Sequence, residues 1–336
     1  MSRSLRNGLL LLAAIVVVTF CTIYFTVDLS TWRAFSYFSL QNIIAALTVL
    51  AIGMYFDGRR LQRLVAMNGY RVSMLGILQV IFGNYFLGLL TPGASGGAVA
   101  QVMILRSIGV PVAKSTMIVI IRTVFSILFL VFAIPIVFYF DNMDIPYIGH
   151  DSLFYIATLF VLCCIIGFWL FTGVWGKTIT YRLLLLLHVK PRRIRKTIRF
   201  LSDLNDTLRI LAQHPRDTLL VFVESGISLC MIYSILPALL WNADQSGPYS
   251  LLLGRMIVLN FMLYFAPTPG GTGVAEGFFI LLFKNYVPSG SVGILAVMWR
   301  ALAEYLPFFI GMYFVLTLFG KKYLLHSDAE NERSGC

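Results

Sequence analysis

The chain has 336 residues, of which 59% are hydrophobic and only 12% charged. Soluble domains carry about 25% charged residues, so the composition excludes a water-soluble enzyme or a nucleic-acid partner and indicates an integral membrane protein. The net charge of +11 then becomes a question of sidedness, because Lys and Arg collect in cytoplasmic loops.

In chain order, residues 8–27 read as a retained first span behind Arg3 and Arg6. The run is long for a signal-peptide core and lacks an A-x-A-like cleavage site. A second span covers about 40–56, and a basic connector from Asp57 to Arg71 follows, with Arg59, Arg60 and Arg63. Residues 73–90 and about 95–106 flank Thr91-Pro92-Gly93. The second limb reaches only about 18 Å at about 1.5 Å per residue, against a hydrocarbon core of about 30 Å, which suggests a re-entrant hairpin. A span at 115–140 carries Arg122, and an acidic loop with Asp141, Asp144 and Asp151 leads to a span at 153–173. Residues 174–216 form a basic cytoplasmic connector. Its apolar residues recur at helical spacing from Ile194 to Leu211, which fits an amphipathic helix on an anionic leaflet or plain positive-inside bias. A span at 217–241 carries Glu224; residues 249–266 and 274–287 flank Thr268-Pro269-Gly270-Gly271 in a second hairpin; a last span at 292–319 carries Arg300 and Glu304 before a polar tail at 321–336.

The two hairpins look like copies. Each contains Thr-Pro-Gly-x-x-Gly, each has an asparagine upstream (Asn84, Asn260), and an arginine lies in an apolar run 31 residues after Thr91 and 32 after Thr268. This repeat divides the chain into halves at about 40–140 and 217–319. With both termini cytoplasmic, 21 of the 26 Lys and Arg fall on the cytoplasmic side. The first hairpin then enters from the cytoplasm and the second from outside, so the halves are inverted, as in alternating-access carriers. The expected architecture is an all-α polytopic membrane protein with about six full spans and two inverted re-entrant hairpins in one transmembrane domain, 1–320.

Proline and glycine break both hairpins and expose backbone polar groups that lipid cannot satisfy. A helix starting just after such a break points its positive end at the break, where an anion is stabilised. Thr91, Ser95, Thr268 and Thr272 add hydroxyls. Ionisable residues inside spans are functional candidates. Glu276 has no base within one turn and Arg122 has no local acid, so each needs a cavity or a distant partner. Arg300 and Glu304 are four apart on one face and either pair with each other or line a site. Arg255 and Lys284 are expected to snorkel towards the outer interface. The five cysteines lack metal-site spacing, and no catalytic, nucleotide or metal motif is present, so no cofactor is expected.

The segments TPGASGG, then Ile104-Leu105-Arg106 and Arg122, then PTPGGTGVAE, then Trp299-Arg300 through Glu304 to Pro307 resemble the flippase-like membrane domain of lysylphosphatidylglycerol synthases. In the two-domain synthases a soluble domain makes the aminoacyl-lipid and the membrane domain is assigned to flipping it. The resemblance covers nearly the whole chain and stops short of the aminoacyl-transfer domain, so it does not carry that activity over. It implies site roles for Pro92, Gly93, Arg122, Pro269, Gly270, Glu276 and Arg300. TPGASGGAV departs from the family pattern by lacking an acid after its glycines, which leaves Arg106 and Arg122 as the first half's charged candidates.

The leading expectation is a lipid translocase in the cytoplasmic membrane of a prokaryote, without ATP hydrolysis. Its substrate is a phospholipid, aminoacyl-phospholipid or polyprenyl-phosphate-linked headgroup. Loop amides and Arg122 or Arg300 hold phosphate, and Glu276 holds a cationic headgroup or a coupling proton. The alternatives are a non-transporting scaffold for a lipid-modifying or glycosyl-transferring enzyme, docking through 174–216, and an integral-membrane transferase. Partners are membrane lipids, a second copy of the chain or such an enzyme.

Overall fold

The computed structural model describes residues 39–91, 93–141, 209–241, 247–287 and 291–318, with isolated helical positions between 155 and 206. The predicted span 8–27, nearly all of the span 153–173, most of the basic connector and the polar tail lie outside the described residues. Everything regular among the described residues is helical, and four helices are long and apolar enough to cross a membrane.

α1 runs from Leu40 to Met67, capped by the Ser39 hydroxyl, which accepts the Asn42 N–H at 3.2 Å. It ends at Asn68 and Gly69, where Gly69 takes φ +86°. The connector expected from Asp57 onward is therefore the last three turns of this helix. Leu, Gln and Arg are strong helix formers, and three of the charges that suggested an exit from the membrane, Asp57, Arg60 and Arg63, pair with charges in the bundle, while Arg59 stays exposed.

α2 (Met74–Leu89) and α3 (Ser95–Ser107) form the first hairpin, and α4 (Val112–Phe140) follows. The second half repeats this order: α5 (Pro215–Tyr233) with the short α6 (Ile235–Leu239), then α7 (Tyr249–Leu263) and α8 (Val274–Phe283), then α9 (Val292–Leu318). Two helix irregularities have the same cause. Pro237 removes the N–H that the carbonyl of Tyr233 needs four residues earlier, and α5 gives way to α6 there. Pro307 does the same to Ala303, and α9 passes through a π-helical turn at Ala301–Tyr305, with the Leu306 N–H bonded to the Ala301 carbonyl.

The first long helices of the two halves pack antiparallel. Asn42 donates to the Leu239 carbonyl at 3.0 Å, Ser228 to the Gly53 carbonyl at 2.9 Å, and Arg63 to Asp217 at 3.0 Å. A Cβ on Gly53 would lie 2.7 Å from Ile232, so only glycine permits this approach, the small-residue packing that membrane helices use. Around it Leu61, Leu64, Ile77, Ile81, Ile104, Leu105 and Leu130 are fully buried. Outward-facing Ile136, Phe140, Leu219, Phe309 and Leu316 are exposed, as expected where lipid is the solvent.

Candidate functional site

Both loops between hairpin limbs are built from left-handed backbone. Gly93 has φ +60° and Ala94 φ 52°; in the second loop Gly270, Gly271 and Gly273 have φ +58°, +67° and +82°. The Thr91 hydroxyl donates to the Leu87 carbonyl at 2.8 Å and accepts the Gly96 N–H at 2.7 Å, closing the start of α3. The Thr272 hydroxyl donates to the Pro269 carbonyl at 2.7 Å. These two threonines thus shape their loops, whereas the buried Thr268 hydroxyl has no hydrogen-bond partner among the described residues. Pro92 lies outside the described residues.

The loops meet. A Cβ on Gly270 would sit 3.1 Å from the side chain of Leu89, at the end of α2, and 3.6 Å from Arg300. Beside this junction lie two clusters of buried charge, with Asp57 3%, Arg60 4%, Arg122 7%, Glu276 5% and Arg300 1% exposed.

In the first cluster Asp57 on α1 accepts from Arg60 Nε at 2.6 Å and, through its other oxygen, from Arg122 Nη2. Arg122 also donates to Gln101 Oε1 on α3 at 2.9 Å, and Gln101 donates to Asn84 Oδ1 at 2.8 Å. Arg60 donates to Ser126 at 2.8 Å. Arg122 Nε is buried and has no partner among the described residues.

In the second cluster Arg300 donates to Glu276 Oε1 at 2.5 Å, to Glu304 Oε2 at 2.6 Å and to the Gly270 carbonyl. Glu276 is the third residue of α8, and its other oxygen accepts the Gly273 N–H at 2.7 Å, half of a capping box. Phe279 stacks on Trp299 with ring centroids 5.6 Å apart, holding α8 against α9 where the ion pair forms.

The two clusters share a plan. In each, an arginine on the long helix after a hairpin reaches back to the helix that follows the Thr-Pro-Gly loop. Of the expected site residues, Arg122 lies in the first cluster and Glu276, Arg300, Glu304 and the Gly270 carbonyl in the second, while Gly93, Thr268, Pro269 and Gly271 lie in the two loops without a bond to either cluster among the described residues. The distant base that Glu276 requires is Arg300, and Arg300 also pairs with Glu304.

Other expectations are corrected. Glu224 joins neither cluster; Arg63 donates to it at 2.8 and 3.3 Å one turn beyond Arg60, towards the C-terminal end of α1, beside a cavity of ≈ 420 Å³ lined by Arg59, Gln62, Arg63, His214 and Asp217. Arg255 does not snorkel. It is buried, paired with Asp141 at 2.7 and 2.9 Å, bonded to the Leu282 carbonyl and stacked over Tyr286. Asp141, expected in a loop, is correspondingly buried. Arg106 is exposed on α3, so the acid and second base of the first site are Asp57 and Arg60. The signal for Asp57 was helical spacing: Leu50, Met54, Asp57, Leu61 and Leu64 form one buried stripe.

The sequence profile of the lysylphosphatidylglycerol synthase TM region matches residues 8–311. The chain belongs to this family. This member of the lysylphosphatidylglycerol synthase TM family is also similar, at 21% identity over 316 residues, to a UPF0104 membrane protein of Archaeoglobus fulgidus, covering 90% of this chain and 94% of that protein. It is a multi-pass helical membrane protein, and both charge clusters fall inside the matched region. Chemically, the first cluster offers guanidinium donors to an anion, and the second offers carboxylates to a cation or a proton.

Proposed function

We propose that this protein is a lipid translocase of the prokaryotic cytoplasmic membrane, moving an anionic headgroup between its two halves without ATP hydrolysis or covalent change. The observation that carries the reading is Arg122: a buried guanidinium whose Nε has no partner among the described residues, in a cluster of two arginines and one acid, in a bundle where the second broken loop packs against the first hairpin. Burying a surplus cation in a membrane protein is costly, and a phosphate headgroup is the ligand that would repay it, since guanidinium and phosphate pair well.

Two features favour inverted re-entrant hairpins. α3 and α8 have 13 and 10 residues, about 20 and 15 Å against a core of about 30 Å. α1 and α5, the first long helices of the two halves, run antiparallel, as inverted repeats require. The basic excess of the sequence favours a cytoplasmic side for both termini and the 174–216 connector.

The test is reconstitution into vesicles with a fluorescent phosphatidylglycerol, scoring headgroup exposure on the outer leaflet. Wild-type protein accelerates exposure, while Arg122→Gln, Glu276→Gln and Arg300→Ala, each shown to be folded, do not. Wild-type rates in these variants would end the residue assignments.

A further inference from the structure

Three arginines and three acids occupy the two clusters, but they are shared unevenly. Asp57 serves Arg60 and Arg122, one carboxylate to two guanidiniums. Arg300 serves Glu276 and Glu304, one guanidinium to two carboxylates. The first cluster carries a surplus positive charge and the second a surplus negative one. Each would be expensive alone in a low-dielectric interior. They are linked, however, through two helices: Tyr85 of α2 is within electrostatic reach of Asp57, Arg60, Arg122 and Glu304, and α1 packs against the π-helical turn that carries Glu304. In the unliganded protein the two surpluses are opposite in sign and sum to zero.

An anionic headgroup upsets that balance. A phosphodiester at Arg122 neutralises the first cluster and leaves the second with one carboxylate too many. The two acids differ in how they are held. Glu276 has both oxygens occupied, by Arg300 and by the Gly273 N–H, at a helix start that favours the anion. Glu304 presents only Oε2 to Arg300, and its side chain keeps 17% exposure, so its other oxygen is open to a proton. The charged and titratable groups around Glu304 are Arg300 and Tyr305 on its own helix, Glu276 on α8 and Tyr85 on α2, with α1 packed against the turn that carries it.

We propose that binding of an anionic headgroup at the Asp57–Arg60–Arg122 cluster is coupled to uptake of one proton by Glu304. The inference rests on the headgroup reading above. The Glu304 carboxylate takes a proton from water to become a neutral carboxylic acid as the phosphate binds, and gives it back when the phosphate leaves. No electrons move, and total charge in the site is conserved. A headgroup that crosses the membrane in this state takes its proton with it, so an imposed gradient of one pH unit would bias the distribution of lipid between leaflets about tenfold.

The experiment titrates the full chain, in weakly buffered detergent with a pH indicator, with short-chain dihexanoyl phosphatidylglycerol, while calorimetry follows binding. Wild-type protein is expected to take up about one proton per bound lipid, with a protonated-carboxyl band appearing in the infrared difference spectrum. Uptake is lost in Glu304→Gln. It is also lost in Glu276→Gln, where one carboxylate already balances Arg300, so a folding defect in the first variant leaves the second to decide. Lipid binding by the wild type without proton uptake overturns the coupling and leaves the headgroup site standing. Undiminished uptake in Glu304→Gln overturns the assignment to that residue. Failure of the lipid to bind at all overturns the headgroup reading and the coupling with it.

Discussion

Asp57→Asn tests whether one shared carboxylate holds the first cluster together in a dry interior. The substitution keeps the side-chain shape but removes the only carboxylate that Arg60 and Arg122 share among the described residues, at 3% exposure. Removing one partner of a buried ion pair costs about 3–5 kcal/mol, because the remaining charge is left uncompensated. Here two guanidiniums lose their partner together, and the amide offers one acceptor oxygen where the carboxylate offered two. The expected loss is at the upper end of that range. Thermal melting of the purified protein in detergent reads it as a drop of many degrees, with reduced yield of folded protein. The double variant Asp57→Asn/Arg60→Gln removes one positive charge as well and should recover a substantial part of the loss. Two results refute the reasoning: an Asp57→Asn protein that melts within about 1 kcal/mol of wild type, the value of an exposed pair, or a double variant no more stable than the single one.

Arg255→Ala should cost about 3–5 kcal/mol by stranding Asp141 while leaving lipid binding per folded molecule unchanged, since it touches neither cluster; melting and calorimetry together check this. Gly311→Val should abolish folding or nearly so, because a Cβ there would collide with the Phe82 carbonyl of α2, and size-exclusion chromatography of the detergent extract reports it. Thr91→Val keeps the shape but removes the hydroxyl that accepts the Gly96 N–H. It should cost about 1 kcal/mol, the value of a helix cap, visible as faster amide exchange at the start of α3.

The loops were legible because Pro and Gly interrupt apolar runs, and Arg122, Glu276 and Arg300 because a charge surrounded by apolar residues is conspicuous. Asp57 and Asp141 escaped for the opposite reason. Each lies near the end of an apolar run and reads as the chain leaving the membrane. Burial followed helical phase instead: Ile134, Phe138 and Asp141 share one buried face of α4, as Leu50, Met54 and Asp57 share one of α1. The tyrosine that lies within reach of both clusters carried no signal in the sequence, since Tyr85 is one aromatic among the many on apolar helices and its position depends on how α2 packs.

Aligning the halves on Thr91 and Thr268 shows where the acids diverged. Asp57 precedes Thr91 by 34 residues, and the same offset before Thr268 falls on Ser234; Glu304 follows Arg300 by four, where the residue four after Arg122 is Ser126. Each half kept its arginine but drew its carboxylates from different helices, so the first site is left short of negative charge. Gln101→Glu would supply it. Its Oε1 already accepts from Arg122 at 2.9 Å, and a carboxylate there makes a charge-assisted bond of about twice the strength. The cost is the bond from Gln101 to Asn84 at 2.8 Å, which Asn84 recovers by turning its amide so that it donates. Gln101→Glu should therefore melt at or above the wild-type temperature yet bind short-chain phosphatidylglycerol at least tenfold more weakly, a trade of function for stability that is expected where a site stores unbalanced charge. Wild-type affinity in a folded Gln101→Glu protein would mean that the surplus charge at Arg122 is not what holds the anion.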